Sequence, residues 1–348
     1  KALTELELDA PSYKSPSPSN DFELEHVPSL TLNDICHITA ITNDDYDYDD
    51  YASVDPSALR VTINAITSNA TTAEEQALGT FTRRKLKKLP NWKQWSEAEF
   101  RQLDRFADLE MYGEPQALPV QDEDDPYVVL RSHWQHAVKR CGTRRSRQCV
   151  DGSRRAAPIL HVLADSYSSC VNQPVQRLFM AISALKNNLL FGGDARDAYA
   201  HAWANFSQRT FVRVDPPYIE WYQARHGVKL DRSFVLPVLK AIQGHPEAGR
   251  LWEEHINKIL FSKELKFTTT THDHCIYRTV FNDEEVFLLR QTDDFAISCK
   301  NEATAIAIFD IIGKKLQLRN EDSPPFDYFG QLVDFNGVEV SQFQEYIG

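Results

Sequence analysis

No stretch of this sequence approaches the roughly 20 apolar residues that a membrane-spanning helix requires, and its start, Lys1-Ala2-Leu3-Thr4, lacks the apolar region of a secretory signal. An intracellular chain is expected, in a cytoplasmic particle or the nucleus. The six cysteines, Cys36, Cys141, Cys149, Cys170, Cys275 and Cys299, contain no CxxC pair, so neither a zinc ribbon nor a disulfide framework is indicated and reduced thiols are the default. His272, His274 and Cys275 lack a second ligand pair at metal spacing, and Cys275 is read as a buried thiol. No internal repeat is visible. Positive charge is also scarce, with a net charge of -12. Residues 1–70 hold 13 acidic side chains against Lys1, Lys14 and Arg60, so -10 of that charge is local to the N-terminal fifth. In the remainder, cations cluster at Arg83-Arg84-Lys85 with Lys87-Lys88, and at Lys139-Arg140, Arg144-Arg145, Arg147 and Arg154-Arg155. Such clusters suit a phosphate backbone, although a single basic run is more often a solvated face.

What is present is enough apolar material, 42% of 348 residues, to bury a sizeable core in about two domains or one large one with a tail. Residues 1–75 are rich in Ser, Pro, Asp and Thr without a sustained period, a composition that cannot offset ordering entropy, and they are expected to be a disordered acidic tail. Within it, Tyr48-Asp49-Asp50 has charged rather than apolar flanks, so nothing would hold those carboxylates on a buried turn. A helix is predicted over 97–110, with Ser96 as N-cap and Glu99 closing a capping box. Tyr127–Leu130 and His133–Val138 read as strands of a hairpin-like basic subdomain. Helices are expected over 177–190, 246–263 and 302–315, and strands over 286–290 and 295–298. Asn336-Gly337 signals a further hairpin. The element order predicts an α+β fold, a sheet with helices on one face.

Two acidic strings carry the chemistry. Asp194 closes the apolar stretch before Ala195-Arg196-Asp197-Ala198-Tyr199, and about a hundred residues later Asp293-Asp294 sits between two apolar stretches. Two divalent ions roughly 3.5–4 Å apart clamp the attacking and leaving oxygens of an in-line phosphoryl displacement, and hard carboxylate oxygens on rigid strands are the ligands they require. Three carboxylates brought together repel one another unless cations lie between them. The pattern points to template-directed nucleotidyl transfer.

In this order and spacing the residues resemble the reverse transcriptase of copia-type LTR retrotransposons, over roughly residues 82–347. Asp194–Tyr199 is similar to the first polymerase motif. Ala241-Ile242-Gln243-Gly244-His245-Pro246-Glu247-Ala248-Gly249-Arg250-Leu251-Trp252 resembles the family's "KALYGLKQAPRAW", Asp273–Tyr277 its "DPCLF", and Thr292-Asp293-Asp294 stands where the family has "YVDD". Trp134 and Lys139 followed by Arg145-Ser146-Arg147 resemble the fingers segment, Val171–Ala181 the helix before the first motif, Tyr328-Phe329-Gly330 the primer-grip "FLG", and Gln342–Ile347 the "SQ..YI" beyond it.

The resemblance implies an RNA-directed DNA polymerase of right-hand form, with an antiparallel palm sheet backed by helices. It would act on an RNA or DNA template with a primer, deoxynucleoside triphosphates and two Mg2+ ions, Mn2+ being an alternative. It implies a polyprotein piece: residues 1–75 as the linker from integrase, 76–190 as N-terminal helix and fingers, 191–348 as palm, with thumb and RNase H absent here. By the same resemblance Asp194, Asp293 and Asp294 would hold the metals, and Tyr199 would abut the sugar C2′ and discriminate against a 2′-hydroxyl. Asp197 and Ala198 would offer backbone amides to the triphosphate, and Gln243 would touch the incoming nucleotide. Arg147 and Arg145 would neutralise phosphates, with Arg154 or Arg155 as substitutes in register. Phe329 and Gly330 would grip the primer. Lys314 or Lys315 could protonate pyrophosphate, though solvated helix-end lysines are the commoner case. The chain departs from the pattern at Gln291 and Thr292, usually an aromatic and an apolar residue, and at Gly249, usually proline. A catalytically inactive transposon remnant that at most binds nucleic acid is the alternative, favoured by truncation and the altered second motif. A two-metal nuclease is disfavoured, because such sites usually carry more carboxylates and no triphosphate-binding arginines.

Overall fold

The computed structural model describes residues 72–318 except 77, 79, 80, 122, 123, 140, 141, 164 and 272, together with 326–327, 333–335 and 338–340. Residues 1–71 of the tail expected over 1–75, the Tyr48-Asp49-Asp50 string, His272, Phe329 and Gly330, and Gln342–Ile347 lie outside the described residues, whereas Ala73–Gln76 at its end is helical. In chain order the helices are α1 (Ala73–Gln76), α2 (Arg83–Leu86), α3 (Trp92–Asp108), α4 (Leu160–Leu163), α5 (Gln173–Leu185), α6 (Pro216–His226), α7 (Ala248–Leu260) and α8 (Glu302–Gly313). The strands are β1 (Tyr127–Leu130), β2 (Ser132–Val138), β3 (Arg144–Val150), β4 (Leu189–Asp194), β5 (Arg209–Arg213), β6 (Val235–Pro237), β7 (Thr268–Thr269), β8 (Ile276–Phe281), β9 (Glu284–Gln291), β10 (Asp294–Cys299), β11 (Phe326–Asp327), β12 (Val333–Phe335) and β13 (Val338–Val340). Among the described residues no helix is long and apolar enough to cross a membrane.

A six-stranded antiparallel sheet, in the order β11-β4-β10-β9-β8-β7, forms the centre of an α+β fold. Successive residues of its inner strands alternate between two cores, as the period of two in a strand demands. Phe191, Leu288, Phe295 and Ile297 join Trp252, Ile256 and Leu260 of α7 and Ile308, Phe309 and Ile312 of α8. Leu190, Leu289 and Ala296 join Phe179 of α5 on the other face. The expectation of helices on one face only is therefore corrected. Strands buried on both faces read as continuous apolar runs, and Leu189-Leu190-Phe191 and Val286–Leu289 are such runs.

Several elements differ from the sequence reading. The second long helix runs over 173–185 rather than 177–190, because the Asn172 side chain caps Val175 N–H and Pro174 suits the first turn. α3 begins at Trp92, one turn before the predicted start, so Ser96 and Glu99 lie inside it instead of capping it. Trp95 is fully buried and its indole donates to the Glu75 carboxylate, while Glu99 accepts from Arg83 Nε at 2.9 Å. Those contacts extend the apolar face upstream and occupy the carboxylate that would have closed the box. β1 is not the hairpin partner of β2. It pairs parallel with β5, and β2 pairs with β3, the strand formed by the basic run 144–150. The Arg83–Lys88 cluster also has structural work, with Arg83 and Lys87 both paired to Glu220 of α6. The predicted hairpin around Asn336-Gly337 is present, with Phe335 opposite Val338.

Candidate active site

β4 and β10 run side by side in a register that makes Asp194 and Asp294 Cα partners. Directly opposed residues of an antiparallel pair project from the same face with Cβ atoms about 4.5–5.5 Å apart, so these two half-buried carboxylates share one edge of the sheet. β9 and β10 are joined by a two-residue turn, Thr292-Asp293, closed by the Gln291–Asp294 pair. Thr292 holds φ at +53°, a conformation that β-branched residues rarely adopt. Both turn carbonyls are tied down. Ala195 N–H donates to the Asp293 carbonyl at 2.7 Å, and Trp252 Nε1–H donates to the Thr292 carbonyl at 2.7 Å. One residue earlier in the hairpin, the Gln291 side-chain oxygen accepts from Val171 N–H, and the buried Arg290 meets Glu253 and the Tyr277 hydroxyl.

Beside this turn opens a cleft of about 160 Å³ lined by Arg147, Gln148, Asp197, Ala198, Tyr199 and Gln243 together with Thr292 and Asp293. Residues from four separate segments thus meet, and six of the predicted site residues are among them. Its rim is electrostatically connected to the carboxylates. Burial and the neighbouring Arg147 lower the Arg145 pKa, and the charges of Asp293 and Asp194 act against that shift. Burial and the Asp293 charge raise the Tyr199 hydroxyl. Asp197 stands in left-handed backbone at the start of a 3-10 turn, Ala198–His201, and its carboxylate accepts from Arg105 Nε of α3 at 2.6 Å. Asp194 and Asp294 adjoin the cleft through the sheet register and do not line it.

Other predicted positions fall elsewhere. Arg154 and Arg155 are exposed and are not among the cleft's lining residues. Lys314 and Lys315 are exposed at the end of α8, and Lys315 pairs with Glu264. Cys275 is fully buried, and burial pushes its thiol up to about 12. Gln102, Phe106 and Met111 of α3 and the following segment also line the cleft, as does Gln148, and none was expected from sequence. Gln148 lies next to Arg147, but the strand that carries both was itself hidden in the sequence. The α3 residues had no readable signal, since an amphipathic helix does not announce what its polar edge covers.

Residues 126–347, well over half of the chain, match the reverse transcriptase (RNA-dependent DNA polymerase) family. The chain belongs to the copia-type reverse transcriptase family. The six-stranded sheet and the β2–β3 hairpin lie within the matched span, while α3 and its cleft-lining residues precede it. Among solved structures the chain is similar to a telomerase from Candida albicans in complex with a fragment of telomeric RNA, at 10% identity and a TM-score of 0.39, covering 71% of this chain and 48% of that one. It is also similar to an apo telomerase from Candida tropicalis truncated from its C-terminal domain, at 11% identity and a TM-score of 0.31, covering 68% and 55%. The chain therefore spans about half the length of these structures. No curated protein matches it.

Enzymes of this family use divalent metal ions. Among the described residues no group of three or more His, Cys, Asp or Glu side chains is gathered as a ligand set. The side chains are nevertheless of the hard-oxygen kind such ions take: Asp194 and Asp294 are Cα partners on adjacent strands, and Asp293 lies in the adjoining turn.

Proposed function

We propose that this chain carries the polymerase unit of a copia-type retrotransposon polyprotein and extends a primer on an RNA or DNA template from deoxynucleoside triphosphates. The observation that supports this most is the pairing of Asp194 with Asp294 next to a cleft lined by Asp293, Arg147, Tyr199 and Gln243. On this reading Asp194, Asp293 and Asp294 hold two Mg2+ or Mn2+ ions. When bound, the ions activate the primer hydroxyl and neutralise charge on the triphosphate. Arg147, with Arg145 behind it, binds phosphate oxygens through guanidinium forks that stay charged. Tyr199 closes the cleft beside the sugar and excludes a 2′-hydroxyl, and Gln243 contacts the nucleotide from the segment preceding α7. Asp197 acts through its backbone and that of Ala198, its carboxylate being engaged by Arg105. Integrase and RNase H of the same polyprotein are the expected neighbours.

The test is primer extension on poly(rA)/oligo(dT) with Mg2+ by the chain joined to the thumb that, on this reading, follows it. Incorporation of dTMP is expected. A folded wild-type protein that incorporates nothing would favour an inactive remnant instead.

A further inference from the structure

We infer that Trp252 is a positioning residue for the carboxylate turn: its indole N–H holds the Thr292–Asp293 peptide in an orientation the turn would not keep unaided. The inference rests on the polymerase reading for its kinetic consequence, though not for its structural one. Thr292 is β-branched and sits at φ +53°, where a side chain of that shape crowds its own backbone. Such a conformation persists only when its surroundings over-determine it. The surroundings here are specific. Trp252 is fully buried in α7, its Nε1–H reaches the Thr292 carbonyl at 2.7 Å, and the next carbonyl, of Asp293, is taken by Ala195 N–H at 2.7 Å. The peptide plane between Thr292 and Asp293 is thereby fixed by α7, and the plane after Asp293 by the residue following Asp194. Each of the two carboxylate segments is anchored to something other than its own strand.

Glu253, the neighbour of Trp252 in α7, continues the arrangement. One of its oxygens accepts from the fully buried Arg290, two residues before Thr292, and the other accepts from Ser169 N–H. α7 thus grips the last residues of β9 and the turn itself through adjacent side chains. A shift of about 1 Å in a reacting group can lower a rate roughly 100-fold, so a donor lost at Trp252 acts on turnover more than on nucleotide affinity.

Trp252→Phe keeps an aromatic ring in the core and removes the donor. Hydrogen–deuterium exchange of the full chain is expected to show at least a 10-fold loss of protection confined to the Ala195 amide and the Gln291–Phe295 segment. Primer extension is expected to show kcat lowered by about 10- to 100-fold, with KM for the nucleotide within about twofold. Adding Thr292→Gly, which accepts a positive φ without a clamp, is expected to recover much of that kcat. Unchanged local protection in Trp252→Phe would overturn the inference, as would a uniform loss of protection across the six-stranded sheet with no recovery on adding Thr292→Gly. A wild type that incorporates no nucleotide would defeat the polymerase reading alone, since the exchange measurement still decides whether the indole holds the turn.

Discussion

Asp194 and Asp294 face one another across β4 and β10 as Cα partners, two like charges on one edge of an antiparallel pair. Like charges so placed are destabilising, a cost that stability alone gives no reason to retain. Asp294→Asn is expected to leave the metal-free protein as stable as the wild type or slightly more so, while lowering incorporation. Calorimetric melting without divalent ions, paired with primer extension, checks both halves.

Gly193 precedes Asp194 and lies against α8, where a Cβ would stand 2.5 Å from the Phe309 ring. Because Phe309 is fully buried among Ile308, Ile312 and Phe295, the ring has little room to yield. Gly193→Ala is expected to cost about 1–3 kcal/mol and to disturb Asp194, measured as a lower denaturation midpoint in urea. A paired Phe309→Leu should restore part of it.

Asp215 ties the β2–β3 hairpin to α6. Its carboxylate accepts from Ser132 Oγ at 2.5 Å, Trp134 Nε1 at 2.7 Å, Gln148 Nε2 at 3.0 Å and Tyr218 N–H at 2.9 Å, while the Tyr112 hydroxyl donates to the other end of the Gln148 amide. Asp215→Ala strands these donors and is expected to destabilise by about 3–5 kcal/mol. Asp215→Asn, which retains an acceptor, should lose less and should raise the nucleotide KM through a loosened Gln148 and Arg147.

His245 sits in the turn before α7, stacked on Phe206 with ring centroids 3.7 Å apart. Its Nδ1 accepts from Glu247 N–H, which only a ring unprotonated at that nitrogen can do. Burial, with His161 adding to it, lowers its pKa to about 3. The unfolded ring titrates near about 6.5, so below that pH the unfolded state takes up a proton that the folded state refuses. Stability from this group is complete above about pH 6.5 and declines by about 1.4 kcal/mol per pH unit as the pH falls towards 3. His136 and His255, both lowered to about 4, act in the same direction. Thermal midpoints between pH 7 and pH 5 should fall, and His245→Gln should show a shallower fall.

Tyr199 lines the cleft beside Asp293. Tyr199→Ala is expected to reduce the preference for deoxynucleotides over ribonucleotides by at least 10-fold, read as the ratio of kcat/KM values, with folding intact. An unchanged ratio would remove Tyr199 from sugar selection.

The site was more legible in the sequence than the frame around it. Asp194, Asp293 and Asp294 stood out because carboxylates at the ends of apolar runs conflict with burial unless they are used, and the register of β4 and β10 makes Asp194 and Asp294 Cα partners. Arg147, Tyr199 and Gln243 were singled out by the family resemblance, and they line one cleft. β3 was hidden because Arg144, Arg145 and Arg147 read as a charge cluster, whereas their neighbours Ser146 and Gln148 are the buried alternates of the strand. The pairing of β1 with β5, about eighty residues away, leaves no local trace, since parallel partners share no turn. The contribution of α3 to the cleft was equally invisible. Gln102 and Arg105 look like ordinary solvent-facing positions until Asp197 is placed against them.

The most direct measurement is single-turnover incorporation of dTMP on poly(rA)/oligo(dT) with Mg2+, comparing the thumb-joined wild type with Asp194→Asn and Asp293→Asn at matched thermal stability. Incorporation by the wild type is expected, with a loss of at least about 1,000-fold in each variant, a barrier increase of about 4 kcal/mol. Either variant retaining the wild-type rate would contradict that expectation.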